Sequence, residues 1–290
     1  GQELEHEIAV RYRIQRIGAR PVEAERGGGA ALLIASIAGL RGSDKMGAYG
    51  MIRVSATMFP EVIADVAWLL AAAGTMNVLY GAVVTMRQTD LKRLIAFSSV
   101  SHMGLVLLGI SSVVGVGGAV SPVGLTGASL QMFTHGTITG LAFLMVGLSY
   151  DRTHTRHIPH LGGLWKKMPL IAIFFLIAGF GSLGLPALSG FVAEIMVFLG
   201  TFSVWPWATG VAAFGVVLAA GYTLWMVQRV FFGARPANPG LSDEIYDGLE
   251  DASWVDMVPV IALAAPIFII GVWPSVITEV FDIGIQAVLR

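Results

Sequence analysis

Hydrophobic positions in this chain fall into long runs separated by short polar or charged stretches. From residue 62 onward the runs are regular, covering 62–86, 94–117, 123–149, 169–202, 205–232 and 256–274. Each is near or above the roughly 20 apolar residues that a bilayer-spanning helix needs. Residues 46–60 form a half-span carrying Arg53, and 275–290 is a short amphipathic tail. Helices satisfy their own backbone hydrogen bonds in lipid. The expected fold is therefore an all-α polytopic membrane protein, with about six transmembrane helices plus the half-span.

The run 169–202 is longer than one crossing requires and is punctuated by Gly181, Gly184, Pro186 and Gly190. Pro186 has no N–H and its ring clashes with the preceding turn, so one helix is predicted to break near Gly181–Gly190. Freed backbone groups are tolerated in a membrane only where protein buries them or a wet cavity faces them. The loops agree with a single crossing. Arg87, Lys92 and Arg93 mark the first loop, Arg152, Arg156, Lys166 and Lys167 the third, and Arg229 and Arg235 the fifth. The second and fourth carry no charge. Basic loops face the cytoplasm, and this alternation holds only if 169–202 crosses once. Asp243, Glu244, Asp247, Glu250 and Asp251 read as a solvated acidic loop, Lys92 as a topology anchor paired locally with Asp90, and Trp205 and Trp207 as interfacial anchors.

Composition narrows the chemistry. The chain is 55% hydrophobic and 13% charged, against roughly 25% charged in a soluble domain. A net charge of −1 argues against a nucleic-acid surface, and the absence of cysteine excludes Fe–S clusters and thiolate metal sites. No haem-attachment, HExxH, phosphate-loop or dinucleotide fingerprint is present. The expectation is a transport function without a cofactor in this chain. Residues 1–44 differ from the rest: 1–26 mixes both charge signs, Gly27–Gly29 follow, 30–40 is too short to span, and the chain starts without Met. A fragment or a displaced reading frame is the expectation there.

Glu194 follows the predicted break by about two turns. A carboxylate at membrane depth costs at least ~2.5–3.5 kcal/mol on insertion scales and marks a functional site by default. Gln131, His135 and Thr139 recur at i, i+4 and i+8, so they stripe one helix face, and Ser98 precedes His102 by one turn. Asn77, Tyr80, Tyr222 and Thr223 add polar atoms to other spans. Histidine titrates near neutrality, so two His and one Glu on three spans suit a proton relay. The alternative for each His is a hydrogen-bonded packing residue. His154, His157 and His160 share a loop without a supporting carboxylate set and read as no metal site.

QTDLKRLIAFSSVSHMGLVLLGI at 88–110 resembles a hallmark segment of the antiporter-like subunits of proton-pumping NADH:quinone oxidoreductase (complex I). KMGAYGMIRV, HGTITGLAFLMVG, HTRHIPHLGGLWKKMP and SLGLPALSGFVAEIMVFLG continue it in order, most like the subunit M (chain 4) type. That family is known for two inverted five-helix repeats, each with a broken helix, along a hydrated axis of charged residues. The resemblance implies that 45–275 is an antiporter-like domain, namely the second repeat plus a last helix. It leaves 1–44 as an atypical segment, 276–290 as a tail, and the first repeat missing. It also implies that Lys45, His102, His135 and Glu194 carry protons. Partners would be the lipid bilayer and other membrane subunits of a bacterial inner-membrane complex. NADH, FMN, Fe–S clusters and quinone would sit in those partners, with no redox centre here. RGSDK stands where members have an apolar helix often ending LLLK. Alternatives are a subunit of a multi-chain cation/proton antiporter or of a membrane-bound hydrogenase, and a remnant that transports nothing.

Overall fold

A computed structural model of the chain describes residues 49–52, 60–115, 122–236 and 241–288. Lys45 and most of the half-span lie outside the described residues. The chain divides into two compact units, residues 1–62 and 63–290. In the first, Met51 and Ile52 are buried and Tyr49 is exposed.

The second unit is helical. Its elements are α1 (Pro60–Met86, whose first residues belong to the other unit), α2 (Leu91–Ser111), α3 (Pro122–Thr153), α4 (Pro169–Ser182) and α5 (Ser189–Phe202). They continue with α6 (Pro206–Val227), the short α7 (Asp243–Asp247), α8 (Trp254–Val272) and α9 (Ser275–Val288). Among the described residues, five stretches are long and apolar enough to cross a membrane: Val62–Met86, Leu91–Val114, Pro122–Thr153, Pro206–Phe232 and Trp254–Val272. The sixth expected crossing is the broken pair α4 and α5. The chain is thus an all-helical integral membrane protein.

Helix ends follow local chemistry more than hydropathy. α2 starts three residues before the apolar run because the Asp90 carboxylate caps it, accepting the Arg93 N–H at 3.0 Å. The same carboxylate pairs with Arg156 Nε at 3.6 Å. Asp90 is therefore engaged by the cap and Arg156, and the expected Lys92–Asp90 pair is not formed. Pro169 and Pro206 open α4 and α6, where a missing N–H costs nothing. Ser253 and Asp256 form a capping box on α8.

α2 is pressed against α1 by small residues. A Cβ on Gly74 would strike the Gly104 carbonyl oxygen and the Leu108 nitrogen, and one on Gly81 would strike Ser101. Ser101 Oγ also donates to the Val78 carbonyl at 2.9 Å. Such close backbone approach is how membrane helices gain packing without a hydrophobic driving force. α3 packs against α2, α4, α5, α8 and α9 and forms the centre of the unit.

The three basic loops meet at one end. Thr89 and Asp90 pair with the strand-like turn at His157 and Ile158, Lys167 reaches Asp247 at 3.4 Å, and Tyr246 donates to the Gly163 carbonyl at 3.0 Å. The end of α2 and the start of α6 meet at the other end, where Trp205 Nε1 donates to the Ser111 carbonyl. This is the arrangement that a single crossing by 169–202 requires. Trp205 is a half-buried tie between helices, while Trp207 is exposed.

The acidic loop is more than solvated charge. Asp251 accepts the N–H groups of Leu170 and Ile171 at 2.6 and 3.2 Å, capping α4 from a distant loop. Arg152 at the end of α3 donates to the carbonyls of Glu250 and Asp251 and pairs with Asp256 at 2.9 Å. Asp251→Ala should cost about 1 kcal/mol, as lost helix caps do, and Asp251→Asn should recover most of it. Thermal melting of the purified protein checks both. α9 has two faces: Ile277 and Phe281 pack on Leu130, Ala193 and Ile270, and Asp282 accepts from Thr126, while Val276, Val280 and Ile283 are exposed.

Candidate functional site: a buried Glu–His cluster beside a broken helix

The break between α4 and α5 is a helix terminus of defined geometry. Gly184 adopts φ +70°, Leu185 N–H returns to the Phe180 carbonyl at 3.0 Å, and Gly184 N–H to that of Gly181 at 3.4 Å. Those two bonds with a left-handed glycine make a Schellman end. Gly184 thus stops the helix, and Pro186 two residues later keeps it from restarting. Ala187 is held at φ +74°, a conformation that costs a non-glycine residue of order 1 kcal/mol or more. Gly271 of α8 sits against the Ala187 carbonyl so closely that a Cβ would not fit.

Glu194 lies in the second turn of α5 and is buried. Its Oε2 rests against Gly184, in the space a Cβ there would occupy. The same missing side chain therefore permits the turn and makes room for the carboxylate. Glu194 Oε1 stands 3.8 Å from His102 Nδ1. That is beyond a direct hydrogen bond and within reach of one bridging water.

His102 is the junction. Its Nδ1 side meets Glu194 and, at 3.5 Å, Gln131 Nε2, and its Nε2 lies 3.0 Å from Ser182 Oγ at the end of α4. The His135 ring is 5.2 Å from the His102 ring, centroid to centroid. Both rings are buried, as are Gln131 and Thr139, so the expected stripe on α3 faces the interior. Thr139 Oγ turns back to the His135 carbonyl at 2.5 Å. An imidazole with different partners on its two nitrogens accepts a proton on one and releases it from the other.

A cavity of about 30 Å³ continues from this cluster between α2, α3, α4 and α6. Ser98, Thr139, Ser182 and Tyr222 supply its polar wall. A water needs at least ~10–15 Å³ and two or more polar partners, so this cavity is large and polar enough for one.

Three of the four expected residues thus converge. The fourth, Lys45, lies outside the described residues. Tyr80, counted among the polar groups of its span, lies apart from the cluster, exposed on the face of α1 opposite Gly74, Val78 and Gly81. Sequence reasoning missed Ser182 as the partner of His102. Its only signal was a hydroxyl placed between Gly181 and Gly184 at the break.

A family model described as NADH:quinone oxidoreductase/Mrp antiporter, TM, matches residues 28–219. NAD(P)H-quinone oxidoreductase chain 4 1 of Synechococcus sp. (strain JA-2-3B'a(2-13)) is 40% identical over 251 residues, covering 84% of this chain and 46% of that protein. NAD(P)H-quinone oxidoreductase chain 4 of Gloeobacter violaceus is 40% identical over 244 residues, covering 82% and 44%. The chain spans about half the length of the curated relatives it matches. A chain of respiratory complex I from Thermus thermophilus superposes with a TM-score of 0.75 at 27% identity, over 90% of this chain and 51% of that one. A chain of the Mrp complex from Dietzia sp. shares the fold, with a TM-score of 0.70 at 21% identity over 85% and 53%.

Proposed function

Because the chain belongs to the NADH:quinone oxidoreductase/Mrp antiporter transmembrane family, we propose that it conducts protons across a membrane as a subunit of a respiratory NADH:quinone oxidoreductase. The observation that carries this is His102 placed between Glu194 and Ser182, with His135 beside it, both rings and the carboxylate buried among apolar helices. Glu194 takes up and releases the proton, His102 relays it by exchanging its ring protons, and His135 is the next station. Lys45 is a further proton carrier by the resemblance to the family. Residues 45–275 form the antiporter-like domain, as a second inverted repeat plus a last helix. Residues 276–290 are its tail, and 1–44 is an atypical N-terminal segment, of which the family match takes in residues 28–44. Electron transfer, with NADH, FMN, Fe–S clusters and quinone, belongs to partner subunits, and this chain holds no redox centre. The setting is a bacterial inner membrane with the basic loops cytoplasmic.

The test uses sealed inverted vesicles carrying the assembled oxidoreductase, with NADH-driven lumen acidification as the readout. Acidification should persist in sodium-free buffer. His102→Leu should slow proton passage through this chain on the order of a hundredfold, the scale of a positioned proton-transfer group, with NADH oxidation by an artificial acceptor unchanged. A requirement for sodium, or an unaltered proton-to-electron ratio in that variant, overturns the reading.

A further inference from the structure

A groove of about 380 Å³ opens between the first turn of α2 and the last turns of α3, lined by Lys92, Phe143, Val146, Gly147, Tyr150 and Arg156. We propose that it binds an anionic phospholipid, with the phosphate between Lys92 and Arg156 and an acyl chain running down the face of α3.

The groove has two chemically distinct ends. Phe143, Val146, Gly147 and Tyr150 recur at three- and four-residue spacing, so they share one face of α3. Where a Cβ of Gly147 would stand, nothing lies within 4 Å. That leaves an apolar slot along α3 between Tyr150 and Phe143. The loop end is cationic. Lys92 is exposed, and among the described residues no carboxylate pairs with it. Arg156 gives only its Nε to Asp90, and its guanidinium carbon lies 5.2 Å from the centroid of the Tyr150 ring. Among the described residues no hydrogen bond is made by its two terminal nitrogens. A planar guanidinium edge and a point-charge ammonium converging on one concavity suit a phosphate oxygen set. They stand at the end of the bundle where all three basic loops gather, which is where anionic headgroups meet juxtamembrane Lys and Arg. A soluble anion would use the cations and leave the slot empty, and a zwitterionic lipid would use the slot and gain little from two cations. An anionic phospholipid uses both. Bound there, it would bridge the start of α2 and the end of α3, the helices that carry His102 and His135.

The experiment reads which phospholipids stay with the full chain in its assembled complex after equilibration with vesicles of mixed phosphatidylglycerol and phosphatidylcholine. The bound headgroups are quantified by mass spectrometry. Wild type should enrich phosphatidylglycerol. Lys92→Gln should lower that enrichment about fivefold, the weight of one interfacial cation. Gly147→Phe fills the slot without touching either charge and should abolish the enrichment. Gly210→Phe is the control, since it too projects into open space, but on α6, and should leave enrichment unchanged. Circular dichroism confirms that each variant is folded. Wild-type enrichment in both Lys92→Gln and Gly147→Phe overturns the proposal. So does full displacement of the lipid by inorganic phosphate alone, which would mark an ion site indifferent to the slot.

Discussion

Replacing Glu194 with Gln should abolish most proton passage through this chain in the assembled complex, with electron input to the complex intact. Gln keeps the volume and hydrogen-bonding reach of Glu and loses only the titratable proton. Among the described residues Glu194 is the one buried carboxylate, so nothing nearby takes over that role. A positioned proton-transfer group contributes on the order of 10²–10⁴-fold, and a fall of about a hundredfold in the flux through this chain is the expected size. Glu194→Asp keeps the acid but shortens its reach to His102, already 3.8 Å away, and should fall between wild type and Gln. The measurement is NADH-driven acidification of sealed vesicles alongside acceptor reduction. If both the pumping rate and the proton-to-electron ratio of Glu194→Gln match wild type, the cluster is packing and the relay does not run through it.

The fold was legible because lipid leaves few choices. A run of about 20 apolar residues in a chain this poor in charge can only be a helix, and loop charge counts the crossings. The buried cluster was legible for the same reason, since His102, His135 and Glu194 are costly in an apolar span and stand out against their neighbours. What the sequence hid depended on contacts between distant elements. Ser182 gains its role only because α4 ends beside α2. Asp251 caps a helix about eighty residues earlier in the chain, so it cannot be told from solvated acids by local pattern. Tyr80 carries no rotational signal of its own, and the glycines that orient α1 put it outside. Pro186 was the obvious breaker, yet the hydrogen bonds place the stop at Gly184.

That assignment leads to the second large effect, Gly184→Ala. An added methyl meets two obstacles at once. The backbone is at φ +70°, where alanine loses roughly 1 kcal/mol relative to glycine. The methyl would also occupy the place of Glu194 Oε2, so either the turn opens or the carboxylate swings away from His102. A proton-transfer group displaced by about 1 Å loses on the order of a hundredfold in rate, so one methyl outside the relay should mimic loss of the acid itself. Ala187 three residues on is the internal comparison. It already strains at φ +74°, so Ala187→Gly relieves a cost, at the expense of a looser unfolded chain. It should leave melting temperature and pumping close to wild type. Opposite substitutions in one short turn should therefore give opposite outcomes: Gly184→Ala lowers both the melting temperature and proton flux, and Ala187→Gly lowers neither. Wild-type pumping in Gly184→Ala would mean that the contact between the broken helix and Glu194 does not set the position from which the proton is passed.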